Sequence, residues 1–308
     1  PLVARGADNR IWVAKIKWTR ELAPSIRRFG GGLISTTVVD HAPLAHTTQL
    51  IAESDGAGSR DSEIKNVFQR LSKTLANLDS SRSDLVKLNL YAADKETAEE
   101  TIQFFADWYG TGILPPICTV ETALPQNRRI AVDAVFVSRK EGTGQIVTHL
   151  PEDADNSARV SVLPKGDVVY ISGQAQPGDD LAKATKATLD GLLKTLHGLQ
   201  LDRSDIVQIK CFLDPISQVD VVNKEIKAFF GESTVPAVSH VQWIRGGGSR
   251  PIEIEVVAAA PATDTTSTIS YHTPPEMKAS PVFSRVARIH GNQRIYSCGL
   301  TGDTSADS

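Results

Sequence analysis

The chain has 308 residues, of which 41% are hydrophobic and 22% are charged. This length accommodates two or three folded domains, and the composition is typical of a globular protein and excludes a disordered or fibrous one. The formal net charge of −3, with Lys and Arg scattered among acidic residues, argues against a nucleic-acid-binding surface.

Membrane, metal and cofactor sites are not expected. No apolar run approaches the roughly 18 residues that a membrane-spanning helix needs. The chain starts at Pro1 without a basic and apolar leader, and we predict a cytoplasmic location. The three cysteines lie far apart, which fits neither a disulfide framework nor a zinc site. His41 and His46 are separated by an odd number of residues, which places their side chains on opposite faces of a strand.

A repeat organises the chain. Residues 73–75 recur as residues 194–196, residues 82–84 as 203–205, and Pro115 as Pro236. The separation is 121 residues in each case (194 − 73, 203 − 82 and 236 − 115). Matches at one constant separation indicate a duplicated domain.

The two copies have the same predicted order of elements. Apolar residues spaced three and four apart predict an amphipathic helix at residues 63–78. Alternating apolar residues then predict a strand at residues 86–90, and a second helix follows at residues 95–109. The corresponding elements of the second copy are predicted at residues 189–199, 207–213 and 217–230.

Each unit is also predicted to contain two strand pairs. The opening pair is predicted at residues 35–39 with 45–51, and at 160–163 with 168–174. A closing hairpin is predicted at residues 117–122 with 130–137, and at 238–243 with 252–258, with turns at Pro125–Asn127 and at the glycines 246–248. The unit is therefore ββαβαββ, an α+β domain with two helices on one face of a mainly antiparallel sheet. The other face of this sheet needs cover, which predicts packing against the sister units.

Composition divides the chain into five segments. We predict an N-terminal extension at residues 1–30, domains at 31–140 and 145–261, a Thr- and Ser-rich linker at 262–280, and the start of a third unit at 281–308. The third unit is predicted because residues 295–299 repeat an opening strand of the other units. A strand pair alone cannot hold a core, so we expect these strands to be completed by another part of the structure.

The second copy resembles the reactive enamine and imine deaminase family, known as Rid or YjgF and also described as endoribonuclease L-PSP-like. The resemblance is carried, in order, by residues 171–174 (ISGQ), Asn223, residues 236–239 (PAVS) and residues 252–255 (IEIE). It covers residues 157–260 well, 33–138 more loosely and 281–302 as a fragment. The resemblance implies a chorismate-mutase-like fold, packed as a trimer-like barrel with ligand pockets between units. Tandem units would supply neighbours within one chain, and the resemblance leaves a homo-oligomer open.

The resemblance also implies a reaction, the hydrolysis of enamines and imines to a ketoacid and ammonia. Family members use an Arg to bind the substrate carboxylate and a Glu to orient water. The Arg position corresponds to Val238 in the second copy and to Ile117 in the first, so this Arg is absent from both. The Glu corresponds to Glu253 in the second copy but to Ala131 in the first. We therefore expect no ordinary 2-imino acid hydrolysis at pockets built from these strands.

The predicted site residues follow from these positions. Glu253 is the candidate acid, and His240 is the candidate base or substitute cation. The predicted ligand-binding residues are Ser172, Gly173, Gln174, Asn223, Arg159, Cys298 and Gly299. A structural role is the alternative for each of them, such as a solvent-exposed strand face for Glu253 and a hydrogen-bonded core position for His240.

Three functions remain open from the sequence. The first is a divergent Rid-like protein whose interdomain pockets bind a small metabolite and hydrolyse an imine-type substrate, without a cofactor. The second is a non-catalytic binding or scaffold protein, which the apolar residues at the Arg positions favour. The third is an endoribonuclease, which is opposed by the net charge and by the lack of a His and Lys catalytic pair or an aromatic stacking platform.

Overall fold

The computed structural model describes residues 3–5, 11–13, 25–31, 34–53, 58–140, 147–151, 157–243, 250–274, 277–291 and 293–299. The predicted turn at the glycines 246–248 and the last residues of the predicted third unit lie outside these ranges. Within them, no helix is long and apolar enough to cross a membrane.

The described residues form four α-helices and eighteen strands. The helices are α1 (Arg60–Ala76), α2 (Lys95–Tyr109), α3 (Leu181–Gly198) and α4 (Val219–Phe230). The strands are β1 (Val3–Arg5), β2 (Ile11–Val13), β3 (Ile26–Gly31), β4 (Ile34–Asp40), β5 (Leu44–Thr47), β6 (Leu50–Ile51), β7 (Leu85–Ala92), β8 (Ile117–Glu121), β9 (Ile130–Val137), β10 (Thr148–Pro151), β11 (Ala158–Leu163), β12 (Asp167–Gln174), β13 (Ile206–Leu213), β14 (Ala237–Gln242), β15 (Ile252–Ala260), β16 (Ile269–His272), β17 (Val286–Ile289) and β18 (Gln293–Ser297).

The four predicted helices are confirmed, and local capping explains where three of them begin. The side chains of Ser59, Asp94 and Asp180 each accept a hydrogen bond from a backbone N–H in the first turn of α1, α2 and α3. Such caps satisfy donors that have no partner inside the helix. Each helix then presents one apolar face to a sheet, as its three-and-four spacing predicts.

The predicted closing hairpins are wrong in their pairing. The first sheet has the strand order β10-β11-β5-β9-β7-β8, and the second has the order β14-β13-β15-β12-β17-β16. Strand β7 therefore lies between β8 and β9, and β13 lies between β14 and β15. The pairs β7–β8 and β13–β14 are parallel because α2 or α4 carries the chain back across the sheet between them. Apolar alternation marks a strand but does not identify its neighbour.

The predicted opening pairs are also wrong, because their two strands enter different sheets. Strand β4 pairs with β3 and β18 in a third sheet, whereas β5 pairs with β11 and β9. In the same way, β11 pairs with β5, whereas β12 pairs with β15 and β17. The short connections between these strands therefore act as corners between sheets.

These corners place the three opening segments in one repeated arrangement. The N–H of Thr48 donates to the carbonyl of Arg159 at 2.9 Å, that of Ser172 to Arg285 at 3.0 Å, and that of Cys298 to Ser35 at 3.3 Å. Each opening segment thus contacts the next, and the third contacts the first again. The strand β16 lies inside the predicted linker and pairs with β17, so this part of the linker is structured. The domain boundaries themselves remain predictions.

The apolar core consists of layers between helices and a sheet and of one layer between the sheets. Helices α1 and α2 cover one face of the first sheet, and α3 and α4 cover one face of the second. The opposite faces of the sheets share a third apolar cluster, which includes Val39, Leu44, Val86, Val168 and Val207. The predicted packing of the units through their uncovered faces is therefore observed.

Candidate functional site

The first interface joins residues 48–49 of the first unit to β14 of the second. The N–H of Gln49 donates to the carbonyl of Val238 at 2.9 Å. The Gln49 side chain donates to the carbonyl of His240 at 2.9 Å and accepts from its N–H at 3.3 Å. The Thr48 hydroxyl donates to the carbonyl of Val238 at 2.7 Å. These side chains continue the hydrogen bonding of a sheet across the interface.

A cavity of about 580 Å³ opens beside these contacts. The first unit contributes Thr48, Gln49 and Gln126 to its wall, and the second contributes residues of α4 and β14. Such a volume lies within the range of small-molecule sites, about 300–1,000 Å³. The cavity therefore has walls from two units, as the resemblance implies.

His240 lines this cavity, and one of its two ring nitrogens is buried without a partner. The side chain is 8% exposed, and its Nε2 has no hydrogen-bond partner among the described residues. Burial lowers the pKa of His240 to about 4, so the imidazole is neutral at neutral pH. His240 therefore cannot act as a substitute cation there, although it can donate or accept one hydrogen bond.

Helix α4 supplies the other polar groups of the cavity. Asn223 lines it, half-buried, and makes no side-chain hydrogen bond to another described residue. Lys224 and Lys227 of α4 lie exposed on the same wall of the cavity. Asp220 is the acidic residue that α4 contributes to this wall. The charge of these α4 side chains is therefore slightly positive.

Among the described residues of the first interface, apolar side chains occupy the Arg and Glu positions that the resemblance implies. Val238, which takes the Arg position, lines the cavity and is 9% exposed. Ala131, which takes the Glu position, pairs with Ile51 next to the same interface. Glu253 does not line this cavity. The arrangement can bind a polar ligand, but these side chains bring no guanidinium and no water-orienting carboxylate to the Arg and Glu positions.

Glu253 lies instead at the second interface, between the second unit and residue 285. Its carboxyl group packs against Gly173 so closely that a Cβ on that residue would collide with it. Ser172 is held beside them, because its hydroxyl donates to the carbonyl of Arg285 at 3.1 Å. The structure thus brings Glu253, Ser172 and Gly173 together and separates them from Asn223 and His240.

The third interface joins Cys298 and Gly299 to β8 of the first unit. The N–H of Gly299 donates to the carbonyl of Ile117 at 3.4 Å, as Gln49 does to Val238. A methyl group added to Gly299 would lie 3.5 Å from the Sγ of Cys118. Cys298 is 8% exposed. The predicted residues of the third unit therefore contact the Ile117 segment closely.

The remaining two predicted residues contribute differently. Gln174 is 3% exposed, and its amide donates to the hydroxyl of Thr195 on α3 at 2.9 Å. It therefore belongs to the helix-facing core of the second unit, because a bulge after Ile171 turns the strand. Arg159 borders the first interface through the carbonyl that accepts from Thr48.

A buried polar network beside the first interface was not predicted. Asp133 accepts from Tyr91 at 2.6 Å, from Ser239 at 2.8 Å and from Asn89, and Lys210 lies 3.7 Å away. Burial, together with the charge of Asp133, raises the pKa of Tyr91 well above its ordinary value. The network joins β9 of one unit to β13 and β14 of the other. A lone Asp in the buried strand IAVDAVFV was the signal that could have revealed it.

Comparison with known proteins identifies the second unit. Residues 156–260 match the family model described as Endoribonuclease L-PSP. No curated protein matches the chain in sequence.

Similar solved structures carry the names of the same family. Rv2704 from Mycobacterium tuberculosis, a YjgF/YER057c/UK114 family member, is 22% identical over 37% of this chain and 99% of its own, with a TM-score of 0.29. The Rid family protein YyfB from Yersinia pestis is 20% identical over 37% and 98%, with a TM-score of 0.33. The YjgF protein of E. coli is 29% identical over 30% and 81%, with a TM-score of 0.29.

Proposed function

Because the chain is a member of the Rid/YjgF (endoribonuclease L-PSP) family, built on its chorismate-mutase-like α+β fold, we propose that it binds a small carboxylate-bearing metabolite at the first interface. The observation that carries this proposal is the cavity between the two units, which is lined by the half-buried Asn223 of α4 and by His240 of β14.

The chemistry of the wall supports this class of ligand. The Asn223 amide can donate to a carboxylate oxygen, and Lys224 and Lys227 make the cavity entrance favourable for an anion. The carboxylate would be bound more weakly than in a site with an Arg, which offers two parallel donors. We therefore expect moderate affinity and reversible binding.

Binding without imine hydrolysis is the form of the proposal that the first interface supports. Val238 and Ala131 stand where the resemblance implies the Arg and the Glu, so neither group is present at these two positions. Hydrolysis of an imine-type substrate would need Glu253, which lies at the second interface beside Ser172. We also propose that the tandem units take the places of neighbouring subunits in a trimer-like arrangement.

Calorimetric titration with a panel of 2-ketoacids, amino acids and small dicarboxylates tests the proposal. We expect at least one compound to bind with a Kd below about 1 mM. His240→Phe and Asn223→Leu should each weaken that binding about 3- to 10-fold, because each replaces a polar side chain of the cavity wall with an apolar one. His197→Phe is the control, because His197 is exposed on α3 away from the cavity. Unchanged affinity in both cavity variants, or no binding by the whole panel, refutes the proposal.

A scaffold role is the second candidate, and the side chains of Thr48 and Gln49 favour it. They occupy the backbone groups of Val238 and His240 that a ligand would otherwise contact. An endoribonuclease is favoured only by the family description and by no group in the cavity. We expect no RNA cleavage, which gel analysis of a labelled single-stranded RNA checks.

A further inference from the structure

A second set of reactive side chains lies outside the first-interface cavity, at three neighbouring strands of the second sheet. Ser270 is on β16, His290 directly follows β17, and Asp167 begins β12. The strands are adjacent in the order β12-β17-β16. Asp167 and His290, which are 123 positions apart in the sequence, are therefore brought together with Ser270 at one end of the sheet.

The hydrogen bonds of these side chains form a continuous relay. The Oγ of Ser270 lies 2.9 Å from Nε2 of His290, and Nδ1 of His290 lies 2.9 Å from Oδ2 of Asp167. This order of nucleophile, imidazole and carboxylate is the arrangement that activates a serine in hydrolases on unrelated folds.

The proton positions follow from the partners of Asp167. Its side chain is 1% exposed and accepts from Thr263 at 2.8 Å and from Arg288 at 2.9 Å. Burial opposes ionisation, but the bonds from Thr263, His290 and Arg288 hold the pKa of Asp167 below its ordinary value. An ionised carboxylate only accepts, so Nδ1 of His290 carries a proton; in the neutral imidazole, Nε2 then accepts from Ser270.

A second histidine completes the set. Nε2 of His272 lies 3.0 Å from the Oγ of Ser270. The single hydroxyl proton is already donated to His290, so His272 must donate to the oxygen. A donor at this distance can also reach an oxyanion formed on a carbonyl carbon bonded to that oxygen. Ser270 is half-buried and His272 is exposed, so the site is open to solvent on one side.

We propose that Ser270, His290 and Asp167 form an esterase-type nucleophilic site for esters of small acyl groups. The Ser270 oxygen bonds to the carbonyl carbon while its proton passes to Nε2 of His290. The bond from that carbon to the leaving alcohol then breaks, and the alcohol takes the proton from His290. Water attacks the acyl-serine in the same way and releases the carboxylic acid. Ester and water thus give acid and alcohol, with no other reactant.

Labelling with a fluorophosphonate probe, followed by peptide mass spectrometry, tests this site in the full chain. We expect the probe on Ser270, and release of p-nitrophenol from p-nitrophenyl acetate. Ser270→Ala should abolish both signals, and His290→Gln should lower the labelling rate at least about 100-fold, because a general base contributes that much. Ser267→Ala is the control, because it removes an exposed serine of the same segment.

Two results would overturn the site. One is a wild-type labelling rate no higher than that of Ser270→Ala. The other is an unchanged rate in His290→Gln, which would show an exposed serine without a base. Thermal unfolding of each variant must match the wild type, and Ser270→Thr, which keeps a hydroxyl, provides a further check by retaining slow labelling. The outcome is independent of ligand binding at the first interface, because the two sites share no residue.

Discussion

The first and second interfaces share one repeated backbone arrangement but carry different side chains. Both begin with the same N–H to carbonyl bond, from Thr48 to Arg159 and from Ser172 to Arg285. At the first interface the next residue is Gln49, whose side chain bonds to β14. At the second it is Gly173, which leaves room for the carboxyl group of Glu253.

As a result, the polar side chains of the candidate site are divided between the two interfaces. The first interface has a cavity, an unpartnered imidazole and no Arg or Glu at the expected positions. The second has the Glu, held against Gly173 and Ser172. A constant backbone therefore does not imply a constant reaction, because a reaction depends on which side chains converge.

Removing Asp133 should break the first interface most severely. Asp133→Ala leaves Tyr91, Ser239 and Lys210 without their buried acceptor. We expect the free energy of unfolding to fall by about 3–5 kcal/mol, the usual cost of losing one partner of a buried charged pair. Urea denaturation followed by circular dichroism measures this loss.

The matched control is Glu255→Ala. Glu255 pairs with Lys210 across β13 and β15 as Asp133 pairs with Asn89, but it is exposed. We expect a loss below about 0.5 kcal/mol, which is typical of a surface position. Equal losses of unfolding free energy in the two variants would show that the buried network of Asp133 does not stabilise the first interface.

Adding a guanidinium should strengthen the carboxylate binding that we propose for the first interface. Val238→Arg adds two parallel donors to the cavity wall, which is worth about 1.5–3 kcal/mol. We expect affinity for a 2-ketoacid to rise about 10- to 150-fold in calorimetric titration. Ile117→Arg is the matched variant at the third interface, where Gly299 and Cys118 lie close together. A similar gain in both variants would show that the cavity does not determine binding.

Acid should weaken the first interface through His240. Because burial lowers its folded-state pKa to about 4, the unfolded state binds a proton below about pH 6.5 and the folded state does not. Stability from this group is complete at pH 7 and decreases as pH falls toward 4. Between pH 7 and 5, we expect wild type to lose about 2 kcal/mol more than His240→Phe in urea denaturation. An equal loss in His240→Phe would show that His240 is not the source, whereas His197→Phe should behave as wild type.

Much of the fold followed from local patterns, whereas strand partners did not. The spacing of apolar residues predicted all four helices, because a helix needs only residues three and four apart. It also located β7 and β13, but not their position between the arms of the predicted hairpins. A corner such as that between β4 and β5 also reads as a hairpin turn, because its sequence does not record which sheet each strand enters.

The candidate site, like the fold, was predicted from the sequence only in part. The structure places Asn223 and His240 at the first interface and Glu253 and Ser172 at the second, a division that the resemblance did not show. The roles predicted for these residues stay predictions. Thr48 and Gln49 were not predicted, because their role depends on β14 from another unit. The relay of Ser270, His290 and Asp167 has no local spacing that could have indicated it.

The sequence by itself determined the duplication, the helices and the absence of an Arg at Val238 and Ile117, because these depend on residue identity and on short spacing. The tertiary structure alone decided which strands pair, which units share a cavity and which side chains meet. These outcomes depend on contacts between segments more than 100 residues apart, such as Thr48 with Val238, and no local propensity encodes such contacts.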